Sequence, residues 1–457
     1  MNKLVSTNPG RGFEVIGEVD VSSEKEVIER IRAAHEAKEK WKEHGIEKRI
    51  ELLKPVYDEC IKRKVEIATL ISKEMGTPIK ECIEGMDFDL EYFEHYLKHG
   101  KEYLEEEITY NKGGSIHKVV FEPFGVVAAI VPWNFPLGMF LWGVVPNLIA
   151  GNVVVIKHSE ECPLTGKLLE NIFSGHGLPE GVFAEIYGDG KVGEILTNQD
   201  VDMIWFTGSS RTGTHLYEKA GKKFIKALLE MGGSNPGLVF EDVDVDGIAS
   251  KIFDRRFSNC GQVCDALKRL IVHESVFDEV VQKVKEIIET KTVGEQFDEK
   301  TDIGPLVAER QVKLLEEQVK DAVDKGAKIV IGGKRPDNLK GAYYLPTILT
   351  GITRDMRVWN EEVFGPVLPM ISFKTEEEAV KMANDTSYGL GSSVFSKDME
   401  RARRVADRIK SGSVNINGGD RWKICTNPFG GYKGSGMGRE HGKMGFRELT
   451  QVKVIAE

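Results

Sequence analysis

The chain has few cysteines and no long basic run, and each absence excludes a class of protein. Six cysteines are scattered over 457 residues, too few for a disulfide framework, so we expect reduced thiols in a cytoplasmic protein. The net charge is −10 and no long Lys/Arg cluster occurs, which argues against a nucleic-acid partner. The first eleven residues contain no apolar run, from which we expect no signal peptide.

Long uncharged stretches can indicate membrane spans, and residues 125–156 form such a stretch. Three prolines and three asparagines interrupt it, however, and a lipid-exposed helix would leave backbone groups unsatisfied at those breaks. We therefore predict two buried strands joined by a short helix, and no membrane association.

The rest of the chain is organised as alternating strands and helices. At 457 residues it is too long for one hydrophobic core, so we expect two large domains with appendages. Between residues 126 and 229, apolar strands alternate with helices, which predicts a doubly wound parallel sheet. The predicted strands are Val126–Val131, Val153–Lys157, Phe183–Tyr187, Met203–Phe206 and Phe224–Leu229. A second α/β unit begins after Gly233, and ligands of such sheets bind at the carboxyl ends of the strands.

Three further segments lie outside this alternation. The first hundred residues predict amphipathic packing helices that carry no chemistry. Within them, His95 and His99 have the i,i+4 spacing of metal ligands, but no third ligand is near, so we predict no metal site. Ile108–Tyr110 with His117–Phe121 predicts a hairpin, and Phe446–Ile455 alternates like a strand.

The chemistry concentrates in two segments, residues 257–264 (Phe-Ser-Asn-Cys-Gly-Gln-Val-Cys) and residues 229–236 (Leu-Glu-Met-Gly-Gly-Ser-Asn-Pro). A lone cysteine is usually a small buried hydrophobe. Here Cys264 follows a turn-prone stretch that can expose its sulfur, and Glu230 stands at a predicted strand end before paired glycines. A nucleophilic sulfur with a carboxylate base is what covalent acyl chemistry requires.

This pair of segments resembles the aldehyde dehydrogenase superfamily, and further motifs of that family occur in the family's order. They are Pro132-Trp133-Asn134-Phe135-Pro136, Phe206-Thr207-Gly208-Ser209, Glu361-Glu362-Val363-Phe364-Gly365-Pro366, Pro428-Phe429-Gly430-Gly431 and Gly438-Arg439-Glu440. The resemblance covers essentially the whole chain. It implies an α/β fold with two doubly wound, Rossmann-like parallel-sheet domains and a small β bridging arm. The implied reaction is NAD(P)-dependent oxidation of an aldehyde to a carboxylic acid.

The resemblance also implies roles for individual residues. Cys264 is the implied nucleophile, Asn134 the amide that stabilises the oxyanion, and Glu230 the base that activates water for thioester hydrolysis. The implied cofactor-binding residues are Trp133, Lys157, Glu160, Gly208, Ser209, Glu362 and Phe364. Glu160 would accept hydrogen bonds from ribose hydroxyls and repel a 2′-phosphate, which favours NAD, with NADP as the alternative.

The implied substrate pocket follows the same motifs. It contains Phe135, Met139, Trp142, Arg421 and Trp422, the last two on an entrance loop at residues 417–428. Arg255 and Arg256 precede the nucleophile segment, so two basic clusters near one entrance predict an aldehyde with an anionic tail. Lys157-His158 resembles the short succinate-semialdehyde dehydrogenase branch, which makes succinic semialdehyde a candidate substrate.

Three positions depart from the family's pattern. His158 replaces the proline of most members, and Ser258 stands where some succinate-semialdehyde dehydrogenases carry an arginine. Asp265 directly follows the implied nucleophile. A carboxylate facing the sulfur would raise the thiol pKa, so we expect Asp265 to point away.

The resemblance further implies a division of the chain and an assembly. The implied parts are a NAD(P)-binding domain (residues 1–104 and 123–231), a catalytic domain (residues 232–432) and an oligomerisation arm (residues 105–122 and 446–457). The arm would pair across the subunits of a homodimer or homotetramer.

Two alternatives share this fold, a CoA-acylating aldehyde dehydrogenase and a non-catalytic binding protein. Glu230 argues against the first, because transfer to CoA needs no base that activates water. The presence of Cys264, Glu230 and Asn134 together argues against the second. For both the aldehyde dehydrogenase and its CoA-acylating alternative, the expected partner is a small-molecule aldehyde.

Overall fold

The computed structural model describes residues 2–419 and 424–457. The helices are α1 (Glu24–Glu43), α2 (Gly45–Lys62), α3 (Lys64–Met75), α4 (Ile79–Tyr103), α5 (Pro136–Ala150), α6 (Pro163–Ser174), α7 (Gly190–Asn198), α8 (Ser210–Lys223), α9 (Val245–Phe257), α10 (Phe277–Glu289), α11 (Glu309–Asp324), α12 (Arg357–Asn360), α13 (Glu376–Asn384), α14 (Met399–Ala406) and α15 (Gly442–Glu448). The strands are β1 (Lys3–Asn8), β2 (Glu14–Asp20), β3 (Glu107–Lys112), β4 (Ser115–Pro123), β5 (Val126–Ile130), β6 (Val153–Lys157), β7 (Phe183–Ile186), β8 (Met203–Gly208), β9 (Lys226–Met231), β10 (Asn235–Val239), β11 (Leu267–His273), β12 (Lys328–Ile331), β13 (Thr347–Thr350), β14 (Val367–Phe373), β15 (Ser393–Phe395), β16 (Asn415–Ile416), β17 (Gly436–Met437) and β18 (Thr450–Ala456).

The first large sheet has the strand order β17-β9-β8-β5-β6-β7. Strands β9, β8, β5, β6 and β7 run parallel, and β17 pairs antiparallel with β9 at the edge. Strand β6 is buried along its whole length and is apolar up to its last residue, Lys157, as expected where helices cover both faces of a sheet. The predicted doubly wound parallel sheet is confirmed here.

The second large sheet has the order β12-β13-β14-β11-β10-β15-β16. All of its pairings are parallel except that of the edge strand β12 with β13. Residues 232–234 alone separate β9 of the first sheet from β10 of the second. This short crossing places the carboxyl end of β9 between the two sheets.

Two small antiparallel sheets complete the fold. Strands β18, β4 and β3 form one of them, which includes the predicted hairpin. Strands β1 and β2 form the other. Of the helices in the described part of the chain, none is long and apolar enough to cross a membrane. The uncharged residues 125–156 instead form β5, α5 and β6, as predicted.

Local signals explain where several helices begin and end. Helix α1 starts with a capping box, in which Ser23 Oγ accepts from the Glu26 N–H at 3.2 Å and the Glu26 carboxylate accepts from the Ser23 N–H at 2.7 Å. Helix α5 begins at Pro136, because proline is well suited to a first helical turn.

The prediction differs from the structure at both chain ends. The β1–β2 hairpin was missed, because its strands carry few apolar residues and lie half exposed. The predicted strand Phe446–Ile455 begins only at Thr450, since α15 extends to Glu448. Phe446 and Leu449 are both buried, and their spacing of three residues is that of a helix face.

Candidate active site

Four predicted site residues lie at or just beyond the carboxyl ends of strands in the first sheet. Lys157 ends β6, Gly208 ends β8, and Glu230 is the penultimate residue of β9. Asn134 lies in the short loop between β5 and α5. Because the strands are parallel, these ends share one edge of the sheet, where ligands of such folds bind.

Cys264 reaches the same region from the second sheet. Helix α9 ends at Phe257, a short 3-10 turn covers Ser258–Gly261, and Cys264 lies in the turn before β11. The residue is half-buried and forms no disulfide. Asn235 donates to the carbonyl oxygens of Cys264 and Ala266, both at 2.8 Å. The backbone around the candidate nucleophile is therefore fixed by the first residue of β10.

The predicted turn before Cys264 is left-handed over three consecutive residues. Asn259, Cys260 and Gly261 have φ values of 49°, 53° and 73°. A Cβ atom on Gly261 would lie 2.4 Å from the carbonyl oxygen of Gly365, so only glycine fits there. The segment thus packs directly against the chain that carries the Glu-Glu-Val-Phe-Gly-Pro motif.

Asn134 connects the two sheets. It is 8% exposed, and its Nδ2 donates to the carbonyl oxygen of Gln262 at 3.0 Å. Its own carbonyl oxygen accepts from Asn259 Nδ2 at 2.9 Å. An amide nitrogen carries two hydrogens, and within the described residues only Gln262 accepts from this one. The second hydrogen is available to a ligand.

Glu230 is buried, with 2% exposure, where β9 meets β17. A Cβ atom on Gly430 would lie 2.6 Å from Glu230 Oε1, so the glycine leaves room for the carboxylate. The charge of Glu230 contributes to raising the pKa of Cys264, which places the two groups within electrostatic reach. The roles of Glu230 as base and Cys264 as nucleophile stay predictions at this point.

Burial raises the pKa of the Cys264 thiol to about 12. The charge of Asp265 adds to this rise, that of Lys268 opposes it, and those of Glu362 and Glu230 raise it further. A thiol with such a pKa is protonated at neutral pH, so attack needs a base. That Asp265 points away from the sulfur stays a prediction. Its Oδ2 lies 3.6 Å from Arg255 Nη2, and of the neighbouring charges it contributes most to raising the thiol pKa.

Lys268 is a site residue that the sequence analysis missed. Its Nζ donates to the carbonyl oxygen of Cys264 at 3.0 Å, forms an ion pair with Glu362 and lies 5.0 Å from the centre of the Phe364 ring. Burial lowers the pKa of Lys268, and Glu362 opposes that change. A lysine inside an apolar strand was the available signal, because a buried cation needs a partner.

Glu362 and Phe364 both lie beside this lysine. Glu362 Oε1 accepts from the Gly233 N–H at 3.1 Å, and a Cβ atom on Gly232 would lie 2.0 Å from Oε2. Gly232 therefore leaves the space that this second carboxylate occupies. Phe364 packs edge-on against Trp133 with ring centres 5.4 Å apart. These predicted cofactor residues form one contiguous group.

Lys157 and Glu160 lie at the carboxyl end of β6. Lys157 is buried and its Nζ donates to the carbonyl oxygens of His158 at 2.9 Å and Gly188 at 2.8 Å. Glu160 Oε2 is 3.8 Å from that Nζ, and its side chain is 43% exposed. A rigid buried ammonium beside an accessible carboxylate is a donor–acceptor pair that fits ribose hydroxyls.

Ser209 caps α8 and Gly208 precedes it. The Ser209 Oγ accepts from the Thr212 N–H at 3.3 Å, and both the serine and the helix start are exposed. The free N–H groups of a helix's first turn bind anions such as a pyrophosphate. The residues present at β6, at α8 and around Lys268 therefore fit a dinucleotide.

The predicted pocket residues on α5 face an aromatic cluster. Met139 is buried, and Phe135 and Trp142 are half-buried. The Trp142 ring lies 6.2 Å from Phe88, 5.3 Å from Tyr92 and 4.6 Å from His441. The spacing of Phe88 and Tyr92 on one helix face was the signal for these additional residues. Arg421 and Trp422 lie outside the described residues.

The two arginines before the nucleophile segment have different surroundings. Arg256 is fully buried and donates to the carbonyl oxygens of Val363, Gly365 and Val367, and burial lowers its pKa to about 9. It is therefore a structural residue, and the prediction that it adds charge to an entrance is wrong.

Arg255 is the arginine that remains available. Its Nη2 lies 3.6 Å from Asp265 Oδ2 and 2.9 Å from the Asn415 amide oxygen, in the amide orientation that satisfies both ends. Its buried Nε and Nη1 have no hydrogen-bond partner among the described residues. These two nitrogens of the guanidinium are therefore available to donate to a ligand, and the guanidinium lies beside Asp265, the residue after Cys264.

In the described part of the chain, residues 2–419 and 424–457, no three potential ligands group around a metal position. His95 and His99 lie with ring centres 4.6 Å apart, and His95 Nε2 bonds to the Tyr103 hydroxyl at 2.8 Å. These histidines take part in side-chain packing on α4.

Comparison with known proteins agrees with this geometry. A model described as the aldehyde dehydrogenase family matches residues 2–455. The NADP(+) succinate-semialdehyde dehydrogenase of Deinococcus radiodurans is 36% identical over 453 residues, which are 99% of this chain and 94% of that protein. The betaine aldehyde dehydrogenase of Bacillus subtilis is 37% identical over 455 residues, covering 97% of this chain and 91% of that protein.

A solved structure extends the likeness to three dimensions. The betaine aldehyde dehydrogenase of Staphylococcus aureus in complex with NAD+ superposes with a TM-score of 0.95 at 33% identity, over 100% of this chain and 91% of that one. The predicted fold class and reaction are thereby confirmed, and the protein is an NAD(P)-dependent oxidoreductase that converts an aldehyde to the acid. The chain belongs to the aldehyde dehydrogenase family.

Proposed function

We propose that Cys264, Asn134 and Glu230 perform this oxidation as nucleophile, oxyanion donor and general base. The observation that carries the assignment is that three chain segments bring these groups together. The Asn134 amide bonds to the carbonyl of Gln262, two residues before Cys264, and the charge of Glu230 reaches the thiol. A nucleophile, a base and a donor for the developing charge are the set that acyl chemistry requires.

The first step is attack on the aldehyde carbon. The high pKa of the thiol means that its proton has to be removed, and the Glu230 carboxylate takes it as the sulfur–carbon bond forms. The carbonyl oxygen then carries a negative charge. The second amide hydrogen of Asn134 and the backbone N–H of Cys264 donate to that oxygen, and losing one such donor typically slows a reaction by about 10²–10³.

Bound NAD(P) supplies the acceptor for the hydride that leaves the former carbonyl carbon. The acyl group is then held as a thioester on Cys264. Glu230 first releases to solvent the proton that it took from the thiol. It then removes a proton from water, the water oxygen bonds to the acyl carbon, and the sulfur leaves as the thiolate. The acid is released and Cys264 regains its proton from Glu230.

The same proposal assigns the cofactor contacts. The residues are Lys157 and Glu160 for the adenosine ribose, Gly208 and Ser209 for the pyrophosphate, Glu362 for the nicotinamide ribose, and Trp133 and Phe364 for the nicotinamide. The accessible carboxylate of Glu160 supports NAD as the preferred form, because a 2′-phosphate beside it would be repelled.

We further propose a short aldehyde with an anionic tail, such as succinic semialdehyde, as the substrate. Buried donors without acceptors cost free energy, about 1–3 kcal/mol for each unsatisfied group. The two unmatched nitrogens of Arg255 support a ligand carboxylate that accepts a charge-assisted hydrogen bond from one of them. Phe135, Met139 and Trp142 would enclose the apolar part of the substrate, and Arg421 and Trp422 remain proposed pocket residues outside the described range.

The chain is further proposed to divide into the parts implied by its motifs. The proposed ranges are residues 1–104 and 123–231 for cofactor binding, 232–432 for catalysis, and 105–122 with 446–457 for the arm. The two large sheets, joined by residues 232–234, support the first two.

A homodimer or homotetramer is proposed from the exposed arm. On β18, Val452 and Val454 point to the same face and are 64% and 62% exposed. The outer strands β18 and β3 also leave unpaired edges. Exposed apolar residues on an open-edged sheet support contact with a second subunit.

Substitutions of the two catalytic candidates should have different effects on NADH release. Glu230→Gln should slow both the first release of NADH and the later turnover by about 10²–10⁴-fold relative to the native enzyme, because the residue is the proposed base for the thiol and for water. Cys264→Ala should show no first turnover. Stopped-flow absorbance of NADH, with and without CoA, provides the measurement. Native turnover that depends on CoA would instead favour the acylating alternative.

Two neighbouring charges should shift the reactivity of Cys264 in opposite directions. Asp265→Asn should speed alkylation by iodoacetamide at pH 8 by roughly threefold or more, because it removes a charge that raises the thiol pKa, and Lys268→Met should slow it. In the native protein the rate should keep rising with pH up to about 12, since the thiol pKa lies near 12. Labelled peptide is quantified by mass spectrometry, with Cys264→Ala as the blank. Equal rates in both variants would contradict the electrostatic account.

Arg255→Met should lower kcat/KM for succinic semialdehyde by about 10–100-fold, mainly through KM, because a charge-assisted pair is lost. Propanal, which has no charged tail, should change less than about threefold. The matched control is Arg403→Met on α14, an exposed arginine away from the site. A native preference for betaine aldehyde or propanal over succinic semialdehyde would overturn the substrate proposal.

Val452→Asp with Val454→Asp should reduce the molar mass in solution to that of the 51.0 kDa chain, because two charges would be buried in the subunit contact. Light scattering after size exclusion measures this mass. Gln451→Asp, an exposed residue on the same strand but the other face, is the control. A native protein that already elutes at 51.0 kDa would contradict the arm's role.

A further inference from the structure

The turn before the nucleophile adopts a costly conformation that outside contacts have to maintain. Asn259 and Cys260 have left-handed backbones, with φ/ψ of 49°/39° and 53°/31°. Residues with a side chain rarely adopt this region, and two in succession persist only where the surroundings enforce them. Cys264 lies only a few residues beyond this turn, so its position depends on whatever holds the turn.

Two residues at the start of α4 make these contacts. The Glu81 carboxylate accepts from the backbone N–H of Asn259 at 2.7 Å. The Thr77 hydroxyl, just before the helix, donates to Asn259 Oδ1, also at 2.7 Å. Glu81 thus lies on, and Thr77 just before, a helix for which the sequence analysis predicted packing only.

Asn259 is also bonded to Asn134, the proposed oxyanion donor. Its Nδ2 donates to the carbonyl oxygen of Asn134 at 2.9 Å, and Asn134 Nδ2 donates to the carbonyl oxygen of Gln262 at 3.0 Å. Gln262 Nε2 in turn donates to the carbonyl oxygen of Asn259 at 3.1 Å. The four residues Glu81, Asn259, Asn134 and Gln262 form a chain of contacts that ends beside Cys264.

We propose that Glu81 is a positioning residue for catalysis, which keeps the Cys264 sulfur and the Asn134 amide in register by holding the Asn259 N–H. This inference rests on the proposed roles of Cys264 and Asn134. Glu81 itself touches neither of them. An acceptor that is charged binds an N–H more strongly than a neutral one, which suits a strained turn.

The surroundings of Glu81 support a specific role for its carboxylate as the acceptor of the Asn259 N–H. Burial raises the pKa of its carboxyl to about 7, and the Asn259 N–H opposes that rise. Of its charged neighbours, Glu84 raises the pKa and Lys80 lowers it, and neither bonds to the turn. Burying a carboxylate costs free energy, so a buried carboxylate on a helix that is otherwise amphipathic indicates that it has a specific partner.

The test is a double-mutant cycle on the full-length enzyme. Glu81→Ala should slow the first-turnover NADH burst by about 10–100-fold, because a small displacement of reacting groups has effects of that size. In an Asn134→Ala background, Glu81→Ala should slow the burst by less than about threefold, because the Asn134 amide that Glu81 is proposed to position is then absent. Iodoacetamide alkylation of Cys264, which needs no oxyanion donor, should change less than about threefold in Glu81→Ala.

Two milder variants and one control keep the result interpretable. Glu81→Gln retains an acceptor of the same shape and should recover most of the lost burst rate. Thr77→Val should cause a smaller loss with the same non-additivity, and it serves in place of Glu81→Ala if that variant does not fold. Glu84→Gln, an exposed residue on the same helix, should leave the burst unchanged.

The outcomes separate this inference from the proposed function. Losses from Glu81→Ala and Asn134→Ala that simply multiply would overturn the positioning role while leaving Cys264 as nucleophile. An unchanged burst in Glu81→Ala would overturn it as well. A burst that survives in Cys264→Ala would instead overturn the proposed function itself.

Discussion

One hydrogen bond joins the two sheets at the place where the chemistry is proposed. Asn134 follows a strand of the first sheet, Gln262 precedes a strand of the second, and the amide of one donates to the carbonyl of the other at 3.0 Å. Neither sheet alone contains a nucleophile, a base and an oxyanion donor. The site therefore exists only while the carboxyl edge of the first sheet stays in register with the turn that carries Cys264.

The electrostatics around Cys264 are dominated by three acidic side chains. Glu230, Glu362 and Asp265 all raise the pKa of Cys264, and only Lys268 among the named neighbours lowers it. The thiol is therefore kept protonated, so its attack on a carbonyl compound depends on a base. The same acids then offer the base that the reaction needs. Lys268 prevents Glu362 from remaining an unpaired buried charge and holds the Cys264 carbonyl at the same time.

Much of this site could be predicted from sequence, because motif residues lie next to strand ends. Cys264, Glu230 and Asn134 are each flanked by turn residues that interrupt apolar strands, and such positions come together at a sheet edge. The two α/β sheets were predictable for the same reason. What could not be predicted are contacts between residues far apart in sequence, since no local pattern at Glu81 indicates a bond to Asn259.

Two arginines that are adjacent in sequence lie in different surroundings because they are on different sides of one helix. Arg255 and Arg256 are consecutive on α9, where each step turns the helix by about 100°. One guanidinium therefore reaches Asp265 beside the nucleophile, and the other enters the core and bonds to three carbonyl oxygens. Counting both as entrance charges was wrong because a charge cluster in sequence is not a cluster in space.

The histidine that replaces a family proline shows how a departure is accommodated without loss of the site. His158 is buried, pairs through Nδ1 with Glu185 on the neighbouring strand β7 and stacks on Phe140 with ring centres 5.3 Å apart. A proline could make none of these contacts, and a buried Glu185 without a partner would be costly. The two residues therefore substitute for the proline as a unit, and the His158 carbonyl still accepts from Lys157. Because that bond is kept, Lys157 and Glu160 remain at the carboxyl end of β6, so the histidine leaves the NAD assignment intact.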